Sequence, residues 1–306
     1  LLKCGEYIEQ EYVFAVDMDL EKFFDMVSHS KLIEVLSHTI TDGRVISLIH
    51  RYLNAGVIHC GNYEPSQLGV PQGGPLSPIL SNIILNELDK ELERRGHKFV
   101  RYADDLVIFC KSRKAAKRTY EHIVPFIEKK LFLKVNKVKT KVAYIRNIKF
   151  LSYAFGRRSG KCQYRLHPES VKKMKAKIRE LTSRSNGWSY EYRKHRLQWY
   201  IRGWSNYFSL AGYKPRLEEW DSWLRHRIRM CIWKSWKRVR TRLHNLEKFV
   251  SDKNRVRMAA FCRKSYWRMS QHPTVHEALS DERLFRAGYP TFTGCYVDFN
   301  KARGYY

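Results

Sequence analysis

The spacing of apolar side chains predicts a mixture of strands and helices in the first half of the chain. Residues 12–19 (YVFAVDMD) form a strand-like run that ends in acids, and residues 79–95 repeat apolar side chains at helical spacing. A strand–turn–strand unit (FVRYADDLVIFC) at 99–110 precedes a helix at 114–131 and two or three strands within 132–155. We therefore predict an α+β fold in which helices lie on one side of a small, mainly antiparallel sheet.

Beyond residue 156 the pattern becomes helical. RRSGK (157–161) is typical of a connector, and three helical stretches follow Pro168. Two of these carry apolar residues at alternating steps of four and three, a pattern that is far more often the seam of a helical bundle than a cofactor site. The two seams comprise Leu197, Ile201, Trp204, Phe208 and Ala211, then Leu217, Trp220, Leu224, Ile228 and Cys231. Residues 246–306 are basic and aromatic but less periodic.

Positive charge is concentrated in the second half of the chain. Residues 1–155 hold 23 Lys and Arg against 18 Asp and Glu, a net of +5, whereas residues 156–306 hold 35 against 12, a net of +23. All eight tryptophans lie in this basic half, between Trp188 and Trp267. Basic side chains beside aromatics favour a nucleic-acid partner. An anionic membrane surface is a weaker alternative, and a basic surface that only contacts solvent is the simplest explanation of any charge excess.

A cationic face is predicted opposite the second apolar seam, pointing away from the bundle. We expect this face to bind nucleic acid. Its predicted contact residues are Arg225, Arg227, Arg229, Lys234, Lys237 and Arg238.

Other features of the sequence exclude several classes of protein. No apolar run is long enough to cross a bilayer, and the first residues lack a signal-peptide layout, so we predict a cytoplasmic protein. The seven cysteines are scattered without a CxxC pair, which favours neither a disulfide framework nor a structural zinc site.

Acidic residues end the first strand and occupy the hairpin turn. Asp104 and Asp105 have a plain explanation, since Asp is common in turns, but Asp19 ends an independent strand that also carries Asp17. If the two strands are neighbours, Asp19 and Asp104 converge, and such like charges need cations, for which carboxylate oxygens select Mg²⁺. Two such ions beside a bound polyanion indicate a polymerase or a nuclease.

Five motifs, in order, resemble the palm motifs of reverse transcriptases in their group II intron-encoded variant. They are DLEKFFD (19–25), GVPQGGPLSPILSNIILNELD (69–89), YADD (102–105), VNKVKTK (135–141) and FLSYAF (150–155). Three later motifs are similar to the maturase, or thumb, domain and the C-terminal region of those proteins: WYIRGWSNYF (199–208), WLRHRIRMCIWKSWKR (223–238) and SYWRMSQHPTVHEAL (265–279). The resemblance implies a palm over 1–160, a three-helix maturase bundle over 165–245 and a basic nucleic-acid-binding segment over 246–306.

The same resemblance implies roles for the acids and for one lysine. Asp19 and Asp104 would bind two Mg²⁺ ions, with Asp105 as the third acid of the site and the main-chain carbonyl of Leu20 as an extra ligand. Lys139 would protonate or bind the departing pyrophosphate, although a solvated lysine is nearly as good an interpretation. We expect Asp17 and Asp25 to be structural and to point away from the metals.

Residues that contact the incoming nucleotide are also implied by the resemblance. Phe24 would be a steric gate whose ring fills the space of a ribose 2′-hydroxyl, with a plain core phenylalanine as the alternative interpretation. Pro71, Gln72 and Gly73 would shape the loop against the nascent base pair, where a missing side chain lets backbone approach closely.

The resemblance therefore implies an RNA-directed DNA polymerase that extends a primer with dNTPs and also aids intron splicing and mobility. Its implied partners are group II intron RNA, an RNA template with a DNA primer, dNTPs and target DNA, in a nucleoid-associated location; a homodimer is left open. Because 18 residues precede Asp19, we expect a member that lacks most of the fingers, and because the sequence offers no His pair with Cys pairs, we also expect no HNH endonuclease segment.

Three alternatives stay open at this point. The chain is an RNA-binding maturase or truncated relic without polymerase activity, or a reverse transcriptase recruited to defence or retron work, or, ranked last, an RNA-dependent RNA polymerase. The maturase motifs weigh against the second, and YADD with Phe24 weighs against the third.

Overall fold

The computed structural model describes residues 1–59, 62–64, 66–71 and 73–304. They form two compact units, Leu1–Tyr164 and Arg165–Tyr306. The predicted α+β class is confirmed. Among the described residues, no helix combines the length and the apolar character that a membrane span requires.

The first unit combines six helices with the strands of three small sheets within the described residues. In chain order its elements are α1 (Leu2–Glu9), β1 (Phe14–Met18), α2 (Phe23–Met26), α3 (His29–Ser37), α4 (Gly43–Asn54), β2 (Val57–His59), β3 (Asn62–Glu64), α5 (Ser77–Arg94), β4 (Lys98–Tyr102), β5 (Asp105–Cys110), α6 (Arg113–Lys130), β6 (Lys141–Tyr144), a 3₁₀ turn (Ile145–Asn147), β7 (Lys149–Phe150), β8 (Tyr153–Arg158) and β9 (Lys161–Leu166).

A four-stranded sheet in the order β4-β5-β1-β6 forms the centre of this unit. β1 is antiparallel to both of its neighbours, with Met18 opposite Leu106 and Asp17 opposite Lys141. Because successive side chains of a strand point to opposite faces, the sheet has two different apolar faces. Val16, Met18, Leu106 and Ile108 share one core with residues of α3, α5 and α6, whereas Ala15, Val107 and Phe109 share another with residues of α1, β7 and β8.

Apart from Arg165 and Leu166, which end β9, the regular structure of the second unit is helical within its described residues. Its elements are α7 (Pro168–Leu181), α8 (Tyr190–Tyr207), a 3₁₀ turn (Lys214–Arg216), α9 (Leu217–Ser235), α10 (Val239–Glu247), α11 (Lys253–Phe261), α12 (Tyr266–Met269), α13 (Pro273–Ala278), α14 (Asp281–Arg286) and α15 (Phe292–Ala302).

Both predicted apolar seams are buried, which confirms them. Aromatic rings join them: Trp204 of α8 lies 5.7 Å, edge to face, from Trp220 of α9 and the same distance from Phe292 of α15. Asp221 of α9 accepts hydrogen bonds from the main-chain N–H groups of Phe292 and Thr293, at 2.7 and 3.0 Å, and so stabilises the start of α15. Residues after 245 therefore belong to the same compact unit as α8 and α9, and their separate role as a nucleic-acid-binding segment stays a prediction.

Candidate active site

The register of the central sheet brings three of the acids together. Asp17 lies in β1, Asp19 follows the end of that strand, and Asp105 begins β5. Since Met18 is opposite Leu106, the positions of Asp19 and Asp105 are adjacent across the two strands. The sequence analysis expected Asp19 to converge with Asp104; the register instead places Asp105 beside Asp19, and convergence with Asp104 stays a prediction. Asp104 lies in the turn before β5 and is exposed.

Electrostatics show that the acids act on one another. Burial, and then repulsion from Asp105, raises the pKa of Asp17 to about 6. Partial burial, followed by repulsion from Asp104 and Asp19, raises the pKa of Asp105. The expectation that Asp17 points away from the cluster is therefore wrong. Asp17 and Asp19 are two residues apart, and that spacing places them on the same side of an extended chain.

Asp19 has the features expected of a cation ligand. Its Oδ2 atom is buried, accepts no hydrogen bond from the residues that the structure describes, and forms an ion pair with the Nζ of Lys139 at 3.6 Å. A buried carboxylate oxygen is costly unless a cation offsets it, and here the Lys139 ammonium is such a cation. Lys139 is brought close by the preceding loop, where Asn136 Oδ1 accepts hydrogen bonds from the N–H groups of Val138 and Lys139, at 3.2 and 3.1 Å.

The acids do not by themselves enclose an ion. Within the part of the chain that the structure describes, no group of three or more His, Cys, Asp or Glu side chains is gathered closely enough to hold a metal. The donor set of Asp19 with its acidic neighbours nevertheless fits Mg²⁺, which is held through only one or two carboxylates and substrate phosphates rather than a complete protein cage. Metal binding by Asp19, Asp104, Asp105 and the Leu20 carbonyl stays a prediction.

Arg101 holds the turn that carries Asp104. Its Nε lies 2.8 Å from Asp89 Oδ1 on α5, and its Nη1 donates to Asn82 Oδ1 at 2.9 Å and to the Ala103 carbonyl at 3.0 Å. Ala103 has a φ of +52°, a left-handed conformation that is unfavourable for a residue with a side chain. Arg101 and Asp89 were not singled out from the sequence; the only signal was an arginine directly before YADD.

The loop at 69–71 packs directly against the backbone of the first palm motif. The N–H of Gly69 donates to the Val27 carbonyl and that of Val70 to the Phe24 carbonyl, both at 2.7 Å. Gly69 has a φ of +87°, and a Cβ there would lie 2.8 Å from the Phe24 carbonyl oxygen, so only glycine fits. Buried His29, another residue that sequence reasoning missed, contacts the Gly69 carbonyl through Nε2 at 2.6 Å.

Three predicted nucleotide-contacting residues follow in this loop. The Pro71 carbonyl accepts hydrogen bonds from the Gly74 N–H, at 3.1 Å, and from the Ser77 hydroxyl, which anchors the loop to the start of α5. Gly73 is exposed and has a φ of +83°. Gln72 lies outside the described residues.

The two adjacent phenylalanines of the first motif have different environments. Phe23 is buried, whereas Phe24 is only partly buried, and their rings lie 5.3 Å apart. Phe23 is therefore the core residue, whereas Phe24 packs against the same core and is partly exposed; its role as a steric gate stays a prediction.

The predicted cationic face on α9 is partly wrong. Arg225 and Arg229 are only 4% and 1% exposed. Arg229 donates to the Leu279 carbonyl at 2.8 Å, contacts His276 Nε2 at 3.0 Å and pairs with Asp281. The face opposite the seam is covered by residues 265–302, so α9 has little free surface in this region.

The other four residues of the predicted cationic face have different environments. Arg227 is half-buried and donates to Thr182 Oγ1 at 2.5 Å and to the Arg179 carbonyl at 3.2 Å, which indicates a structural role. Lys234 lies over the Tyr266 ring, 4.9 Å from its centroid. Lys237 and Arg238 are exposed, and their contact with nucleic acid stays a prediction.

Comparison with known proteins gives two adjoining family matches. Residues 6–155 match the family described as reverse transcriptase (RNA-dependent DNA polymerase), and residues 171–249 match the maturase-specific domain of group II introns. Protein YkfC of Escherichia coli is 30% identical over 181 residues, which cover 48% of this chain and 47% of that protein.

Two intron-encoded proteins match shorter regions. The group II intron-encoded protein LtrA of Lactococcus lactis is 37% identical over 92 residues, covering 30% of this chain and 15% of LtrA. The putative COX1/OXI3 intron 2 protein of Saccharomyces cerevisiae is 40% identical over 96 residues, covering 31% of this chain and 11% of that protein. The chain thus spans less than half the length of each of these relatives.

Proposed function

The chain belongs to the family of group II intron-encoded reverse transcriptases and maturases, and from that premise we propose that it is an RNA-directed DNA polymerase. In the proposed reaction the 3′-hydroxyl of a DNA primer attacks the α-phosphate of a dNTP paired with an RNA template, and pyrophosphate leaves. The observation that carries the proposal is the Asp19 Oδ2 atom, which is buried, accepts no hydrogen bond from the described residues and is ion-paired with Lys139, at a strand end adjacent to Asp105.

Each group of the site has a distinct task in this proposal. Asp19, Asp104 and Asp105, with the Leu20 carbonyl, would hold Mg²⁺, which when bound supplies charge stabilisation to the attacking and leaving oxygens. Lys139 carries positive charge at the same place and would bind the departing pyrophosphate. Asp17 adds negative charge behind the ligands and so strengthens the attraction of the site for a divalent cation.

The second half of the chain would hold RNA. The group II maturase match at 171–249 and the net charge of +23 over residues 156–306 support intron RNA as a partner in splicing and mobility. Target DNA is proposed for the same basic half, with Lys237 and Arg238 among the exposed contacts.

Primer extension tests the proposed activity. The full chain, a DNA primer on an RNA template of defined sequence, dNTPs and Mg²⁺ should give products that end at the template's 5′ terminus. Absence of product from a chain that still binds the primer and template would favour the alternative of a maturase that binds RNA without polymerising.

Phe24→Ala should weaken the selection of deoxynucleotides over ribonucleotides. Removing the partly exposed ring opens the space in which a 2′-hydroxyl would sit, and we expect the ratio of kcat/KM for dNTP over rNTP to fall by at least about tenfold. Single-nucleotide incorporation measures this ratio. Phe132→Ala, which removes an exposed phenylalanine of the same unit, is the matched control. An unchanged ratio in the Phe24 variant would remove the gate assignment.

Arg101→Lys should slow synthesis without weakening substrate binding. Lysine keeps the charge but cannot bond Asp89, Asn82 and the Ala103 carbonyl at once, so the acidic turn loses its support. We expect kcat to fall by about 10- to 100-fold, the range for losing an outer group that orients metal ligands, with KM for dNTP nearly unchanged.

The control for this variant is Arg95→Lys, which alters another arginine that pairs with an acid of α5. Arg95→Lys should leave kcat unchanged. A normal kcat in Arg101→Lys, or a low kcat accompanied by a clearly lower melting temperature, would show that Arg101 has no positioning role.

A further inference from the structure

One face of α8 presents aromatic and basic side chains to solvent. Trp199 is 69% exposed and Tyr192 is 47% exposed, although both are large apolar side chains on a well-formed helix. Positions three, four, seven, ten and eleven residues apart share one side of a helix. The α8 stripe, as we call this face, consists of Tyr192, His195, Arg196, Trp199, Arg202 and Gly203, all of them exposed.

The stripe is held in place by the opposite face of the same helix. Leu197 and Ile201 are fully buried, and Trp204 packs against Trp220. The exposed aromatics lie outside that core: the Tyr192 ring contacts Trp188 edge to face at 5.0 Å, whereas Trp199 is mostly exposed to solvent. From Tyr192 to Gly203 the stripe is roughly 16 Å long, at about 1.5 Å per residue.

Neighbouring side chains support the aromatic rings and add positive charge. The guanidinium of Arg196 lies 5.9 Å from the centroid of the Tyr192 ring, and the His195 ring lies 5.3 Å from that of Trp199. Between Tyr192 and Tyr207 the sequence contains no Asp or Glu. The face is therefore cationic as well as aromatic, which suits a polyanion with flat, unpaired rings.

The α8 stripe also contains a glycine, Gly203, inside the helix. Glycine inside a helix destabilises it relative to alanine, and a Cβ at residue 203 would meet no atom of the described residues within 4 Å. No contact among those residues therefore requires a glycine there. A missing side chain between Trp199 and the end of the helix allows the backbone of a partner to approach closely.

We propose that the α8 stripe binds single-stranded RNA, with an unpaired base stacked on Trp199 and phosphates near Arg196 and Arg202. This inference rests on the proposed RNA partner but not on polymerase chemistry. Duplex RNA suits the stripe less well, because its bases are already stacked and offer no free ring face. An anionic membrane also suits it less well, because the face carries no aliphatic side chain that would enter a bilayer.

Binding of the full chain to a labelled 12-nucleotide single-stranded RNA, and to a duplex of the same length, tests the proposal. Fluorescence anisotropy at several salt concentrations gives each Kd and its salt dependence. Trp199→Ala should weaken single-strand binding at least about fivefold, with an unchanged salt slope and little change on the duplex. Replacing Arg196 and Arg202 with glutamine should instead flatten the salt slope by about 1.4, since each phosphate contact contributes about 0.7.

Gly203→Ala separates binding from folding. Because the site has room for a Cβ, this variant should raise the melting temperature while it weakens single-strand binding. Phe261→Ala, which removes an exposed ring on α11, is the matched control and should change neither Kd.

Vesicles of phosphatidylserine and phosphatidylcholine are measured beside the two RNAs. Three results would overturn the proposal: Trp199→Ala binds the single strand with unchanged affinity, loses equal affinity for single strand and duplex, or loses affinity for the vesicles alone. Primer extension by the unmodified chain, run in parallel, keeps the two proposals apart. Normal extension with an unchanged Trp199→Ala affinity rejects only the stripe, whereas absent extension with a weakened affinity rejects only the polymerase.

Discussion

Asp19→Asn is expected to reduce RNA-templated DNA synthesis by at least about 100-fold, the scale on which removal of one preorganised electrostatic group acts. The amide keeps the shape of the carboxylate but removes the charge of the buried Oδ2 atom, the group best placed to bind a cation. Repulsion from Asp17 and Asp105 falls at the same time, so the fold should be as stable as before or slightly more so. Primer extension in Mg²⁺, together with a thermal melt, measures both effects.

Asp298→Asn is the control for this variant, because Asp298 is an exposed acid on α15. It should leave synthesis unchanged, and both variants should bind the primer and template with the affinity of the unmodified chain. Substantial synthesis by Asp19→Asn would end the metal-ligand assignment, and Asp104→Ala offers an independent test of the same prediction, since it removes the acid of the exposed turn.

Arg229→Ala is expected to lower the free energy of unfolding by about 3 kcal/mol or more. The side chain is 1% exposed and joins α9 to the Leu279 carbonyl, to His276 and to Asp281. Its loss removes these bonds and leaves a buried carbonyl without its donor, which is among the costly kinds of single substitution. Thermal and denaturant unfolding of the full chain, followed by circular dichroism, give the change.

Arg240→Ala provides the comparison, since Arg240 is an exposed arginine on α10. Its unfolding free energy should change by less than about 0.5 kcal/mol. At a temperature where Arg229→Ala is still folded, its RNA binding should show the same salt slope as that of the unmodified chain. An unaltered melting curve combined with a flatter salt slope would instead restore Arg229 as an RNA contact.

The sequence predicted the parts of this protein that depend on local spacing. Alternation over residues 12–19 and 99–110 predicted β1 and the β4–β5 hairpin, and steps of three and four predicted the buried seams of α8 and α9. These patterns succeed because strand and helix geometry determines which side chains share a face, whatever the rest of the chain does. The motif order added the palm and maturase assignment, which the family matches support.

Relations between distant elements were not predictable in the same way. Asp17 was expected to point away from the acids, yet the β1–β5 register places it near Asp105, and its pKa responds to that neighbour. The sequence did not reveal the supporting role of Arg101, because its partner Asp89 lies on another element. Only the packed structure brings the two side chains together.

The two cationic faces of the second unit illustrate the same difference between local pattern and packing. Composition and periodicity determined that the second half is a basic helical unit with two apolar seams, because charge and side-chain period are properties of the chain alone. They did not determine which cationic face is free. Residues from α12 to α15 cover Arg225 and Arg229 on α9, while the outer face of α8 remains exposed around Trp199. Exposure depends on what packs against a helix, and that is decided by the tertiary structure.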